Sequence, residues 1–375
     1  MKKGKFNTIV DSAWGSSAKG AASSRLVDIF KVENVSSCNF PNAGHTLKSG
    51  DVKFVSKCLP TPAGLNIIGR GKPKLWLGPN SGFFHDQLHK ELDQTRYAAV
   101  EVYTHERAVI VSGRHLDMES PAGSQSTEHI SSTMSGSGAS FAEKSMRRKE
   151  VEMARTHAGT NVFNPELFMG LVRGYMNKGE TFMHEVSQGF ALSTDYGTQY
   201  PNCTFRNCTP QQAYADMMIR PTDIGDVYLN VRSFPIRVGN NYKDGKQVGY
   251  SGDFMPDQQE LTWEQIAVDA GMPPDEAAGL AERERTTVTK KIRRVATQSW
   301  KLLEYSAQAT NATKLILNFP QYIHWSAFAL RGGKEVLPKL HQTVRQYIDK
   351  MEDVANLPVV MIGTSAEHDD YIWLG

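Results

Sequence analysis

The segment Trp14-Gly-Ser-Ser-Ala-Lys-Gly20 sets small residues and one lysine directly behind a short apolar run. Small residues let backbone N–H groups approach an anion, the start of a following helix favours negative charge, and Lys19 supplies a cation. This is phosphate-binding chemistry, although the spacing is not the G-x-x-x-x-G-K-[ST] of the Walker loop. Taken alone, it is equally an ordinary Ser/Gly turn before a helix. A second segment, Pro41-Asn-Ala-Gly-His-Thr46, follows the next apolar run and offers Asn42 as a donor and His45, of the side-chain type most easily tuned for proton transfer.

Four more segments follow in order. They are Ser131-Ser-Thr-Met-Ser-Gly-Ser-Gly138 with Lys144 and Arg147-Arg148 behind it, Glu185-Val-Ser-Gln-Gly189 with Asp195-Tyr-Gly-Thr198 and Pro201, Thr286-Thr-Val-Thr-Lys-Lys-Ile-Arg-Arg294, and Thr313-Lys-Leu315. Together the six segments resemble the adenylosuccinate synthetase family, whose members carry W-G-D-E-G-K-G, N-A-G-H-T, G-T-T-G-R-G-I-G, E-G-A-Q-G, T-T-G-R-R-R-R and T-K-L-D in this order. The resemblance covers nearly the whole chain. It implies an α/β fold with a central, mostly parallel sheet in a single large domain, a P-loop-like nucleotide site, and a homodimer. It also implies a two-step ligase reaction, in which a nucleoside triphosphate phosphorylates a purine 6-oxo group and L-aspartate then displaces the phosphate, with Mg²⁺ on the phosphates.

Carried over position by position, the resemblance assigns Ser16, Ser17, Ala18, Lys19, Gly20, Gly44, His45, Thr46 and Lys314 to the triphosphate donor. Ser16 and His45 fall at catalytic positions, and Ser16 with the Gly44 carbonyl at the Mg²⁺ position. Ser16, Asn42, Ser132, Thr133, Gln188 and Thr204 fall to the purine monophosphate, with Arg147 reaching in from the other subunit. Thr287, Val288, Thr289, Lys291 and Arg293 fall to the aspartate carboxylates.

Three departures refine the expectation. Where the family has an aspartate that removes the purine N1 proton, this chain has Ser16, and a neutral hydroxyl is no ordinary base. A short hydroxyl leaves room for the 2-amino group of guanine and can accept its hydrogen bond. In this respect the chain resembles the phage branch of the family, which acts on dGMP on the route to 2-aminoadenine DNA. Second, Ile316 follows Thr313-Lys-Leu315 where the family reads its guanine triphosphate with an aspartate, so ATP or dATP is the expected donor. Third, Lys291 replaces the first functional arginine of the aspartate loop, and a lysine cannot form a planar two-bond fork with a carboxylate. Two other readings stay open: an ordinary synthetase for IMP with its base moved, for instance to Asp11, and a nucleotide-binding protein without catalysis.

These residues need elements to position them. Strand-type runs are expected at Phe6–Val10, Val35–Phe40, Val52–Val55, Leu65–Ile68, Leu75–Leu77, Ala98–Tyr103, Ala108–Val111, Thr181–Glu185, Val227–Val231, Leu315–Phe319 and Pro358–Ile362. Helical spacing is expected at Ala21–Phe30, Phe83–Leu92, Phe141–His157, Pro165–Lys178, Leu261–Ala270, Ala296–Ala309 and Val336–Val354. Such interleaving favours a parallel sheet covered on both faces. Substrate loops are expected at about 112–140, 187–209 and 285–295.

The 375 residues are 40% apolar and 22% charged, which excludes disordered and disulfide-scaffold classes. Forty-two Lys and Arg against 40 Asp and Glu leave a formal charge of +2 and no electrostatic case for a nucleic-acid partner. No run reaches the roughly 18 apolar residues of a membrane span, so no membrane partner is expected. Four cysteines without a pairing pattern point to a reducing cytoplasm. His85-Asp-Gln-Leu-His89 lacks the glutamate of a zinc helix.

Overall fold

The computed structural model describes residues 1–156, 159–286 and 290–375. Its centre is a ten-stranded sheet. In chain order the strands are β1 (Phe6–Asp11), β2 (Asn34–Ser37), β3 (Lys74–Leu77), β4 (Val102–His105), β5 (Asn161–Phe163), β6 (Phe182–Glu185), β7 (Ile224–Arg232), β8 (Lys314–Asn318), β9 (Val359–Gly363) and β10 (Tyr371–Trp373). Across the sheet they run β10-β9-β8-β7-β1-β6-β2-β3-β4-β5. All neighbours are parallel except β9 and β10, so the expected mostly parallel α/β architecture is what the chain forms.

The strands are apolar on successive residues because both faces are covered. Ile9, Tyr228 and Ile316 point to the face packed by Ala22, Leu26 and Val27 of α1 (Lys19–Phe30). Val10, Leu229, Leu315 and Leu317 point to the opposite face. In chain order, that face is covered by α2 (Pro165–Asn177), α3 (Trp300–Ala309) and α4 (Gln342–Ala355), through Phe168 and Val172, Leu303, and Val344 and Ile348 respectively.

From β1 the chain moves outward through β2 to β5, returns to insert β6 beside β1, then builds the other half from β7 to β10. The crossovers thus leave β1 in opposite directions, and a ligand crevice opens at the carboxyl ends of the strands at such a switch point. The segments after β1, β2, β6 and β7 all emerge there.

Several sequence expectations are corrected. Leu65–Ile68 is not a strand: Pro62 and Gly64 lie in a 3-10 turn over Thr61–Asn66. The helix expected over Phe141–His157 spans Ser137–Ser145 and is closed by Arg147 at φ 58°. His157 lies outside the described residues. Gly82–Phe83 pairs with Val109–Ile110 before a helix over His85–Thr95, and Ala98–Tyr103 becomes a strand only from Val102. The helix placed from Ala296 begins at Trp300, behind a short strand at Arg294–Ala296. Pro338 sits in a 3-10 segment over Lys334–Lys339, so the last long helix starts at Gln342. The 112–140 segment holds a short helix over Gly113–Glu119. Among the described residues no helix is long and apolar enough to cross a membrane.

Candidate active site

The loop from Ser12 to Ala18 is built around left-handed residues. Gly15 has φ 90°, Ser16 54° and Ala18 61°, a backbone that non-glycine residues adopt at a cost and that turns amides toward a common point. Helix α1 starts at Lys19 with no side-chain cap and no acidic residue in its first turn, so its free N–H groups remain for an anion. Gly20 is required by close approach: a Cβ there would lie 2.9 Å from His45 Cβ and 2.5 Å from Thr61 Oγ1.

Neighbouring strand ends hold this loop. Asn230 Nδ2 donates to the Ser17 carbonyl and hydroxyl at 2.8 and 2.7 Å, and Arg232 Nη1 donates to the Ser16 carbonyl at 2.8 Å. Trp14 Nε1 donates to Thr198 Oγ1 at 3.1 Å. The Ser16 side chain stands exposed at the tip. Lys19 behaves differently from the expectation: its buried ammonium donates to the carbonyls of Val186 and Gln188, and burial lowers its pKa. It therefore braces Gln188 instead of facing outward. Asp11, the alternative base, is 1% exposed and its Oδ1 accepts from Ala13 N at 2.7 Å, so it presents no carboxylate to a ligand.

His45 begins the hairpin His45–Ser49/Val52–Ser56, and Thr46 pairs with Val55 in it. His45 Nδ1 lies against Glu185 Oε1 at the end of β6. Burial pushes the Glu185 carboxyl up, but His45, Lys19 and Thr61 outweigh it and hold its pKa below the ordinary value. A carboxylate on one ring nitrogen fixes the ring and leaves Nε2 for chemistry.

Beside this loop lies a cavity of about 470 Å³, within the range of small-molecule sites. Asn42, Ser132, Thr133, Gln188 and Thr204 all line it, although they are spread over more than 160 residues of sequence. The wall from Thr133 to Ser137 is a chain of hydroxyls, with Thr133 and Ser135 Oγ atoms 3.0 Å apart and those of Ser135 and Ser137 2.9 Å apart. Glu119 fixes it by accepting from the N–H groups of Gly136 and Ala139. Gln188 itself is left-handed, at φ 58°. Arg147 is exposed and does not line this cavity; Gly44, which precedes His45, is half-buried and does not line it either.

Lys291 and Arg293 frame the third loop. Lys291 N donates to Thr286 Oγ1 at 3.1 Å, and burial lowers the pKa of its ammonium. Arg293 Nη1 is already on Glu284 Oε2 at 3.0 Å, while its buried Nε has no acceptor. Thr287, Val288 and Thr289 lie outside the described residues.

Lys314 is corrected outright. It starts β8 level with Tyr228, and its Nζ lies 2.6 Å from Asp226, which also meets the Met1 amine. That side chain runs toward the amino ends of the strands, away from the nucleotide edge. Ile316 is fully buried beneath α1. The residues of this strand that reach the site edge are Asn318, whose Nδ2 donates to Asn230 Oδ1 at 2.8 Å, and those just beyond it.

Sequence reasoning missed Arg237. It lines the cavity at 2% exposure, lies 4.6 Å over the Trp14 ring, and donates to the Ser251 carbonyl at 2.5 Å. Its Nε has no acceptor, and among the described residues it forms no ion pair. Burial, aided by Arg294, lowers its pKa to about 10. A charged residue between Ile236 and Val238 is the only sequence signal it leaves.

A phosphate-type loop facing a second, nucleotide-sized cavity, on a doubly covered parallel sheet, is the framework of a nucleotide-dependent ligase. No protein-family model matches the chain. An N6-succino-2-amino-2'-deoxyadenylate synthase of Cyanophage S-2L is 32% identical over 329 residues, covering 84% of this chain and 82% of the relative. An adenylosuccinate synthetase of Pyrococcus sp. (strain ST700) is 26% identical over 378 residues, 97% of each chain. The solved structure of the Cyanophage S-2L succinoaminodeoxyadenylate synthetase, bound to dGMP and dATP as an energy donor, aligns with a TM-score of 0.78 at 26% identity, covering 99% of this chain and 96% of that one. The chain belongs to the adenylosuccinate synthetase family, the nucleoside-triphosphate-dependent ligases of purine nucleotides and aspartate.

Proposed function

We propose that the protein joins dGMP to L-aspartate at the expense of ATP or dATP, giving N6-succino-2-amino-2'-deoxyadenylate, as a phage-encoded enzyme of the host cytoplasm. The observation that carries the reading is Ser16: an exposed hydroxyl at the tip of the loop, its carbonyl fixed by Arg232, where a carboxylate would crowd a 2-amino group. The likeness to relatives named for the 2-amino product supports it.

In the first step the purine O6 attacks the γ-phosphorus, the N1 proton is released to water, the bond to the β,γ-bridging oxygen breaks, and the nucleoside diphosphate leaves. In the second the aspartate amine attacks C6, the C6–O bond breaks, phosphate leaves and the amine loses a proton. His45, aligned by Glu185, serves the oxygen that gains charge in the first step. Asn42, Gln188, Thr204 and the hydroxyls of Ser132 and Thr133 hold dGMP, and Arg147 reaches the phosphate from the second subunit of a homodimer. Arg293 and Lys291, with Thr287, Val288 and Thr289, take the aspartate carboxylates.

Mg²⁺ belongs to the same reading. The Ser16 hydroxyl and Gly44 carbonyl are neutral oxygen donors, and among the described residues no group of three or more His, Cys, Asp or Glu could hold a metal. That suits a hard cation reached mainly through substrate phosphates and its own waters. When bound it neutralises charge on the phosphoryl group.

Purified protein with L-aspartate, Mg²⁺, ATP and either dGMP or IMP tests the proposal by phosphate release and by the mass of the product. Turnover with dGMP and little with IMP is expected, and turnover with IMP alone would sink it. Ser16→Asp is expected to lower kcat/KM for dGMP about tenfold or more, since it removes room and an acceptor together.

A further inference from the structure

Glu284 is not among the residues lining the cavity described above, yet it joins the two loops assigned above to different substrates. Its carboxylate is 4% exposed. Oε1 accepts from Arg232 Nη2 at 2.7 Å and from Tyr322 OH at 2.6 Å, and Oε2 accepts from Arg293 Nη1 at 3.0 Å. Its backbone carbonyl accepts from Arg293 N at 3.0 Å, so Glu284 closes the root of the 285–292 loop twice. Arg232 is itself fixed, with its guanidinium 4.1 Å from the Phe319 ring centroid and its Nε on the Phe234 carbonyl.

The bonds form one continuous path, from the Ser16 carbonyl through Arg232 and Glu284 to Arg293. Two guanidinium groups share one carboxylate, and Arg293 Nε remains buried without an acceptor. The cluster therefore carries one positive charge in excess, and its buried donor without an acceptor belongs to Arg293, in the aspartate loop's own sequence segment. An anion at Arg293 completes it, and the pull on Glu284 is passed to the carbonyl that shapes the tip of the nucleotide loop.

We propose that Glu284 is a positioning residue that couples nucleotide binding at Ser16 to carboxylate binding at Arg293. The inference rests on the ligase reading, which assigns the two loops. Coupling between two sites is reciprocal: if aspartate tightens dGMP, dGMP tightens aspartate by the same factor, commonly about 5- to 150-fold.

The test measures the Kd of dGMP by calorimetry on the full chain, without and with saturating L-aspartate, in the native protein, Glu284→Gln and Tyr322→Phe. The native protein is expected to show tightening of at least about fivefold. Glu284→Gln should bring the factor near one while the Kd of dGMP alone changes little, and should raise KM for aspartate more than it lowers kcat. Tyr322→Phe keeps all charges and removes one bond, so an intermediate factor is expected. It carries the test if Glu284→Gln loses its cooperative melt. A native factor of one, or variants that keep the native factor, would overturn the proposal. Because binding is read without turnover, coupling in a protein that makes no product would overturn the ligase reading alone.

Discussion

Two buried arginines, five residues apart in sequence, meet opposite fates. Arg232, at the end of β7, has a carboxylate, two carbonyls and three aromatic rings around it. Arg237 has the Trp14 face, one carbonyl and a distant hydroxyl, and among the described residues it pairs with no acid. Burying a charge is costly unless it is paired and hydrogen-bonded. The first arginine is part of what holds the loops in shape. The second is held by the fold at a cost, in the wall of a cavity suited to an anionic ligand, and the natural compensation is that ligand.

The same substitution at both positions separates these roles. Arg232→Met leaves Glu284 with one cation fewer and is expected to cost about 3–5 kcal/mol in urea unfolding, the usual penalty for breaking a buried pair. Arg237→Met removes an uncompensated charge, so the ligand-free protein should be unchanged or stabilised by about 1–2 kcal/mol. Its affinity for dGMP should fall about tenfold or more, as for the loss of a hydrogen bond from a charged donor. Thermal melts with and without nucleotide read both effects, and a large loss of stability in Arg237→Met would erase the contrast.

Acid sharpens it further. Burial raises the Glu284 carboxyl, but Arg232, Arg293 and Tyr322 hold its pKa below the ordinary carboxylate value. A group depressed in the folded state stabilises above its unfolded pKa, and that contribution disappears as pH falls through the folded value. Stability should therefore fall as pH drops below about 4.5, and Glu284→Gln should flatten that limb while Arg237→Met leaves it intact. The smallest effect is expected at Lys314→Met: a loss of about 1 kcal/mol or less from its pair with Asp226, and an unchanged nucleotide Kd. A weakened Kd there would place the donor site at the wrong end of the sheet.

What was legible in the sequence was local chemistry. Trp14 to Gly20 and Asn42 to Thr46 announce themselves through residue types that a turn against a helix or strand needs, and Ser132, Thr133, Gln188 and Thr204 line one cavity with Asn42. Register along a strand was not legible. Thr313-Lys-Leu315 matches a motif, but strand β8 begins there, and a few residues of offset carry Lys314 away from the site edge and Ile316 into the core. Pairing was equally hidden, because Arg232 meets Glu284 across 52 residues of chain and, among the described residues, Arg237 pairs with no acid. Lys19 shows the same limit: the direction of its ammonium depends on carbonyls at 186 and 188, far along the chain.

The place of β1 in the sheet has a consequence for how the molecule comes to be made. Its two neighbours, β6 and β7, lie about 175 and 220 residues further along the chain. At roughly 5–20 residues per second, the ribosome leaves the first strand without either partner for on the order of ten seconds or more. Phe6, Ile9 and Val10, which end up fully enclosed, spend that interval exposed, and such long-range pairing makes folding slow. Yield from a heterologous host should accordingly depend on translation speed and chaperone supply more than on the stability of the finished protein.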